Sequence, residues 1–141
     1  MRVKISFPEK FCFQTEFIVP ISYINYGNHV GNDSIVSIIH EARMRLFRKY
    51  NYTELAFEGK GIILVDAMIA YKGQAYHLDK LDIRLAITNI TTYGFDILTL
   101  VQNEGKDIVH AKNALLCFDY KTNQLSALPE NAKNWLQMLS E

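Results

Sequence analysis

What this chain has little of narrows the field first. It carries only two cysteines, Cys12 and Cys117, in 141 residues. They stand alone, without the paired spacing of a zinc site or the density of a disulfide framework. Both fall in strand-like runs, where buried free thiols are expected. Net charge is also lacking: fifteen Lys and Arg balance fifteen Asp and Glu. A chain without basic excess is a poor electrostatic partner for nucleic acid. No apolar run is long enough for a membrane-spanning helix, and no charged-then-apolar leader opens the chain, so a cytoplasmic protein is expected. Repeats, low-complexity tracts and linkers rich in Pro, Gly or Ser are absent. A single domain over residues 1–141 follows, with no internal boundary.

What is present is the apolar content of a globular domain, with 49% hydrophobic residues. Phe11, Phe13, Thr15, Phe17 and Val19 alternate with Cys12, Gln14, Glu16 and Ile18, a period of two that predicts a strand ended by Pro20. Ile35, Ile38, Ile39, Ala42 and Leu46 recur at helical spacing, widened by Val36 and Phe47. Asn32 or Asp33 is a suitable N-cap. Arg45, Arg48 and Lys49 suit the negative end of the helix dipole, and Asn51 can close it. From Ile62 onward the period returns to two. Ile63, Val65, Ala67, Ile69 and Tyr71 share one predicted face, and Leu81, Ile83, Leu85 and Ile87 another. Tyr93 opens a third strand, Asn103–Lys106 is a turn, and Ile108–Tyr120 is a fourth strand. Pro129 begins a short C-terminal helix with Trp135, Leu136 and Leu139 on its apolar side. One apolar helix on an antiparallel sheet, paired most simply as a meander, makes an α+β domain. A single helix covers only part of such a sheet, which favours association of two copies.

The chemically suggestive stretch is Tyr23-Ile24-Asn25-Tyr26-Gly27-Asn28-His29-Val30-Gly31-Asn32-Asp33, a polar loop that runs into this apolar helix. A helix start presents free backbone N–H groups and a positive dipole end, which favour a developing oxyanion. The same residues also suit an ordinary capped helix entry. His29 is a candidate base or hydrogen-bond donor to substrate, or a loop-fixing residue. Asn25 suits orientation of a carbonyl or water, or a side-chain-to-backbone turn. Glu41 is a candidate base or nucleophile, but it precedes Arg45 by four residues, the spacing of a plain helix ion pair. It also lies two turns into the helix, about 11–12 Å from the first residue. With antiparallel helices in a dimer, it would face the partner's helix start instead. His40, His77 and His110 have no metal-ligand spacing with each other, so no metal is expected. Asp66 reads as solvent-facing and Asp79 as a turn residue. Lys72, Arg84 and Lys112 are possible phosphate contacts.

This order of elements, with these motifs, resembles the hotdog-fold thioesterases, in particular the 4-hydroxybenzoyl-CoA-thioesterase-like branch. Many members carry Asp-x-Asp-x-x-Gly-His-Val-Asn-Asn before a helix containing Glu-Ala-Arg. Here Tyr23 and Asn25 stand at the two Asp positions, Asn28 at the Gly, His29-Val30 at His-Val, Gly31-Asn32 at Asn-Asn, and Glu41-Ala42-Arg43 at the helix motif. Ala70-Tyr71-Lys72 with Asp79-Lys80-Leu81, and Phe118-Asp119-Tyr120 with Leu128-Pro129, resemble later stretches of the family. The resemblance implies an antiparallel sheet wrapped around one long central helix. It also implies hydrolysis of an acyl thioester of coenzyme A or acyl carrier protein in a homodimer or homotetramer. The only coenzyme would be the coenzyme A of the substrate. Asn25, His29 and Glu41 would be the catalytic candidates, with Gly31, Asn32 and Asp33 binding the substrate. The family's catalytic Asp position holds Asn25, and an amide is neither a base near neutral pH nor a carboxylate nucleophile. A non-catalytic acyl-binding module and a hotdog hydratase or dehydratase therefore stand as alternatives.

Overall fold

The computed structural model describes residues 2–141. Strand β1 (Phe13–Ile18) and a 3-10 turn at Ile21–Tyr23 lead to helix α1 (Asn32–Lys49). Then come β2 (Gly61–Tyr71), β3 (Lys80–Thr88), β4 (Gly94–Asn103), β5 (Lys106–Asp119), the two-residue β6 (Gln124–Leu125) and helix α2 (Glu130–Ser140). The sheet is antiparallel, in the order β1-β3-β4-β5-β2, with β6 on the end of β5. Among the described residues no helix is long and apolar enough to cross a membrane.

The meander expectation holds for β3, β4 and β5 but not for β2. That strand lies beside β5 at one edge, while β1 lies beside β3 at the other. The chain from β2 to β3 must therefore cross the end of the sheet. Residues 72–79 make that crossing and bring Ala75 to the start of α1, where its carbonyl accepts the Val30 N–H at 2.8 Å.

Helix α1 forms because its apolar positions recur at helical spacing. Ile35, Ile38, Ile39, Ala42, Leu46 and Phe47 are buried. They share a core with Leu81, Ile83, Leu85 and Ile87 of β3 and Ile97, Leu115 and Val109 of the strands beyond. Gly31, rather than Asn32 or Asp33, is the N-cap residue, with no side-chain capping bond. Asn51 closes the helix as expected, in the left-handed region at φ 64°. One other expectation fails: Val36 is half exposed. Arg43, by contrast, is buried at 5% exposure. The helix lies toward the β1 and β3 side of the sheet, so its β2 side faces a gap rather than a packed strand.

The strict alternation expected for β2 is interrupted. A bulge between Leu64 and Asp66 leaves Val65 opposite no residue of β5. Ile62 and Leu64 oppose the buried Cys117 and Leu115, and beyond the bulge Ala67, Ile69 and Tyr71 oppose Asn113, Ala111 and Val109. One inserted residue switches which parity faces the core. Strand β4 is buried on both faces, because the segment before β1 crosses behind the sheet. There Phe7 packs edge-on against His110, with ring centroids 5.0 Å apart. The other end is closed by α2, whose Trp135 lies 5.0–6.0 Å, centroid to centroid, from Phe47, Tyr50, Tyr52 and Phe57. Both cysteines are free, and burial pushes both thiols up in pKa.

An ion pair ties the connection before β2 to the end of β5. Lys60 Nζ lies 2.8 Å from Asp119 Oδ2, and the Lys121 N–H donates to Asp119 Oδ1 at 2.9 Å. Lys60, then these backbone donors, hold the Asp119 carboxyl below the usual range. A carboxyl depressed in the folded state adds stability above its unfolded pKa of about 4, and that stability disappears as pH falls through the folded value. Asp119→Asn should therefore lower the Tm at pH 7, with the deficit closing as the pH falls well below 4. Thermal melts across that range check it; a deficit of constant size would contradict the assignment.

Candidate functional site

The loop before α1 is built by its own polar side chains. Ile24 and Val30 form an antiparallel bridge, and the Asn25 N–H donates to His29 O at 2.8 Å. The Gly27 and His29 N–H groups both donate to Asn25 Oδ1, at 2.9 and 3.4 Å. Two donors on one oxygen fix the amide orientation, so Nδ2 points away as a donor without a partner among the described residues. Asn28 adopts φ 68°, a conformation open to glycine and tolerated by asparagine. This explains how Asn serves at a position where the resembling motif carries Gly.

The helix start itself is only partly free. The Gly31 N–H donates to Tyr23 O at 3.2 Å. That corrects the expectation of a donor at Gly31, because the loop turn uses it. No acceptor meets the N–H of Asn32, Asp33 or Ser34 among the described residues, and the first closed helical bond runs from Ile35 N–H to Gly31 O. Three successive donors, Asn32 and Asp33 among them, therefore remain at the positive end of a helix anchored in the core. Gly31 permits close packing: a Cβ there would sit 2.6 Å from Asp33 Oδ1 and 3.3 Å from Asn25 Cβ.

His29 and Asn32 meet in one cavity of about 270 Å³, walled by Ile35 and by Tyr71, Lys72 and Gln74 from the end of β2. His29 Nδ1 donates to Val30 O at 3.0 Å. That bond places the proton on Nδ1 and leaves Nε2 as an acceptor. Asn25 and Asp33 instead converge on the Gly31 side of the helix start. Lys72 is a cation at the rim and forms no ion pair among the described residues.

Glu41 is not brought to this place. Its Oε2 accepts from Arg45 Nε at 2.7 Å, and Arg45 continues to Thr15 Oγ1 and Glu16 O. Glu41 lines a separate groove with Met44 and Arg48. Within one chain Glu41 is held in an exposed helix ion pair, away from its own helix start. His40 pairs with Glu54 at 2.8 Å, His110 with Asp107 at 2.7 Å, and Asp79 accepts the Tyr76 N–H at 2.8 Å. No group of three or more His, Cys, Asp or Glu suited to a metal occurs among the described residues.

Comparison with known proteins shows the family and the fold. A family model described as the thioesterase-like superfamily matches residues 19–136. A 1,4-dihydroxy-2-naphthoyl-CoA hydrolase from Synechococcus elongatus is 28% identical over 111 residues, spanning 76% of this chain and 82% of that protein. The crystal structure of a 1,4-dihydroxy-2-naphthoyl-CoA thioesterase from Synechocystis superposes with TM-score 0.81 at 17% identity, covering 92% of this chain and 98% of that one. A Thermus thermophilus thioesterase, crystallised with coenzyme A and Zn, superposes with TM-score 0.82 at 16% identity, covering 94% and 97%.

The loop makes a local prediction. Asn28→Gly should leave stability unchanged or slightly raised, while Asn28→Ala should cost about 1–2 kcal/mol, the strain of a left-handed residue with a Cβ and no polar side chain. Urea unfolding of the two variants checks this. Equal midpoints would mean that the positive φ is not maintained.

Proposed function

The chain belongs to the thioesterase-like superfamily, and from that premise we propose that it hydrolyses an acyl-CoA thioester with water as nucleophile. The observation that carries the reading is the pair of unpartnered N–H groups at Asn32 and Asp33, beside a histidine whose Nε2 is free to accept a proton. The acyl carbonyl oxygen sits at those N–H groups. His29 Nε2 takes a proton from water, and the resulting hydroxide adds to the acyl carbon. The negative charge collects on the carbonyl oxygen, where each donor is worth about 2.7–4 kcal/mol. Collapse of the tetrahedral species breaks the C–S bond and releases coenzyme A as a thiolate, which the protonated His29 or solvent reprotonates. The acid product leaves as carboxylate.

Asn25 closes the alternative route through an acyl-enzyme anhydride, because an amide cannot attack as a carboxylate does. Its held amide instead leaves Nδ2 as a donor on the Gly31 side of the helix start, and Gly31 lets Asn25 and Asp33 close in there. Lys72 at the rim suits the phosphates of coenzyme A. In this reading the sheet wraps α1 in the hotdog manner.

The functional unit is a homodimer, or a tetramer built from it. Strand β2 leaves one edge unpaired over eleven residues and exposes Leu64, Val65, Met68 and Tyr71. An apolar edge of this length is an aggregation hazard unless another strand covers it. A second copy of the same edge covers it with two-fold symmetry. A binding-only role is favoured by one observation, Asn25 in place of a carboxylate, and the kinetic test separates the two.

Thiol release from a panel of acyl-CoAs, followed with a thiol-trapping dye, is expected from the wild type. His29→Gln should lower kcat by about 10²–10⁴-fold, the usual contribution of a general base. Glu41→Gln should leave kcat within about twofold, in keeping with a surface ion pair. Binding of acyl-CoA without thiol release would establish the binding-only role, and an unaffected His29→Gln would remove the base from this loop. Val65→Lys at the bulge should shift the protein toward monomer in sedimentation, since a charge on the edge opposes strand pairing. An unchanged mass would place the interface elsewhere.

A further inference from the structure

Arg43 is the least accountable residue of the fold. It stands in the apolar stripe of α1, 5% exposed, and makes no hydrogen bond or ion pair among the described residues. Burial pushes its guanidinium below the ordinary arginine pKa, with Glu54 acting in the opposite direction. A buried Nε–H without a partner is a costly arrangement. A second orphan lies close by: Asn113 of β5 is 4% exposed, and its Oδ1 has no partner. Arg43 and Asn113 line one cavity of about 270 Å³ in the gap between α1 and β2. The other walls are mainly apolar, with Val36, Ile39, Leu64 and Ile69 among them. Unmet donors and an unmet acceptor thus share one chamber.

This chamber and the proposed hydrolytic site lie along the same gap between α1 and β2. Ile69 and Tyr71 stand two residues apart on the same face of β2, one lining each cavity. From Asn32 to Arg43 the helix rises about 16 Å, and side chains lean back toward the N-terminus by about a turn, which leaves about 11 Å. An extended chain advances about 1.2 Å per bond. The span fits an acyl group of about eight carbons, with one further atom at its end.

Resting on the hydrolase reading, the geometry points to Arg43 and Asn113 as the specificity determinants for an acyl group that carries a hydroxyl at the end remote from the thioester. A hydroxyl oxygen accepts from Arg43, and its proton is donated to Asn113 Oδ1, so one group satisfies both orphans. A plain methyl end satisfies neither. A carboxylate satisfies Arg43 but leaves Asn113 Oδ1 unmet, and it meets Glu54, whose Oε1 is shared with His40 at 2.8 Å. A site built to hydrogen-bond a hydroxyl rejects the analogue that lacks it more strongly than an apolar pocket rejects a size difference.

The test uses coenzyme A thioethers, which no thioesterase can cleave, so it stands apart from the hydrolysis assay. Calorimetric Kd values are compared for octanoyl, ω-hydroxyoctanoyl and ω-carboxyheptanoyl analogues. The wild type is expected to bind the hydroxylated member at least tenfold more tightly than the other two. Arg43→Met and Asn113→Leu, each checked for a cooperative melt, are expected to bring the hydroxyl preference to within about twofold. If one variant does not fold, the other carries the comparison. Equal wild-type affinities, tightest binding of the carboxylate, no binding of any member, or a preference that survives in a folded variant would each overturn the assignment. Thiol release without hydroxyl preference would sink this inference alone, whereas hydroxyl preference without thiol release would sink only the hydrolase reading.

Discussion

The structure depends on one constraint: an apolar helix must bury its flank while its first turn stays open to a cavity. The buried stripe from Ile35 to Phe47 anchors α1 in the core. Its N-terminus is then held from outside the helix, by Val30 on Ala75 and Gly31 on Tyr23. No side chain caps the first turn. Leaving these first-turn N–H groups unmet costs stability that an Asn or Asp cap would supply. Asn32 and Asp33 are both present and neither is placed to do it. That local deficit makes sense if the missing acceptor arrives with a substrate.

The edge position of β2 follows from the same arrangement. With α1 displaced toward β1 and β3, the sheet's last strand is unpaired on one edge and uncovered on part of its inner face. The two cavities that matter open along that line, one at the helix start and one beside Arg43. The bulge at Val65 sets which side chains of β2 look inward. It aligns Ala67, Ile69 and Tyr71 with the gap. Fold and site are therefore not independent: the crossing segment that sends β2 to the far edge also supplies Lys72 and Gln74 to the cavity wall.

Much of this was legible in the residues themselves. Periodicity located α1, β3 and β5 because each has one face buried, and burial on one face is what periodicity records. The turn at Asn103–Lys106 was legible from Asn103 and Gly105, and Gly105 takes the positive φ of 79° that glycine favours. Three things were not legible. The bulge at Val65 leaves no clear mark, because apolar residues of both parities surround it and Asp66 reads simply as a solvent-facing position. Strand order depends on a crossing whose length permits either edge. Hydrogen-bond state is settled only in three dimensions, so Gly31 looked like a donor although Tyr23 takes its N–H, whereas the Glu41–Arg45 pair was legible from its spacing. Arg43 did leave a trace. It follows Ile39 by four residues and Val36 by seven, on a stripe where a charge has no ordinary place.

The most direct measurement is a crystal structure with a non-cleavable acyl-CoA analogue that retains a carbonyl at the thioester position. The account predicts that this oxygen lies about 2.7–3.1 Å from the backbone nitrogens of Asn32 and Asp33, with His29 Nε2 facing the acyl carbon across one water. A carbonyl bound elsewhere, with those two N–H groups capped by protein atoms, would contradict it.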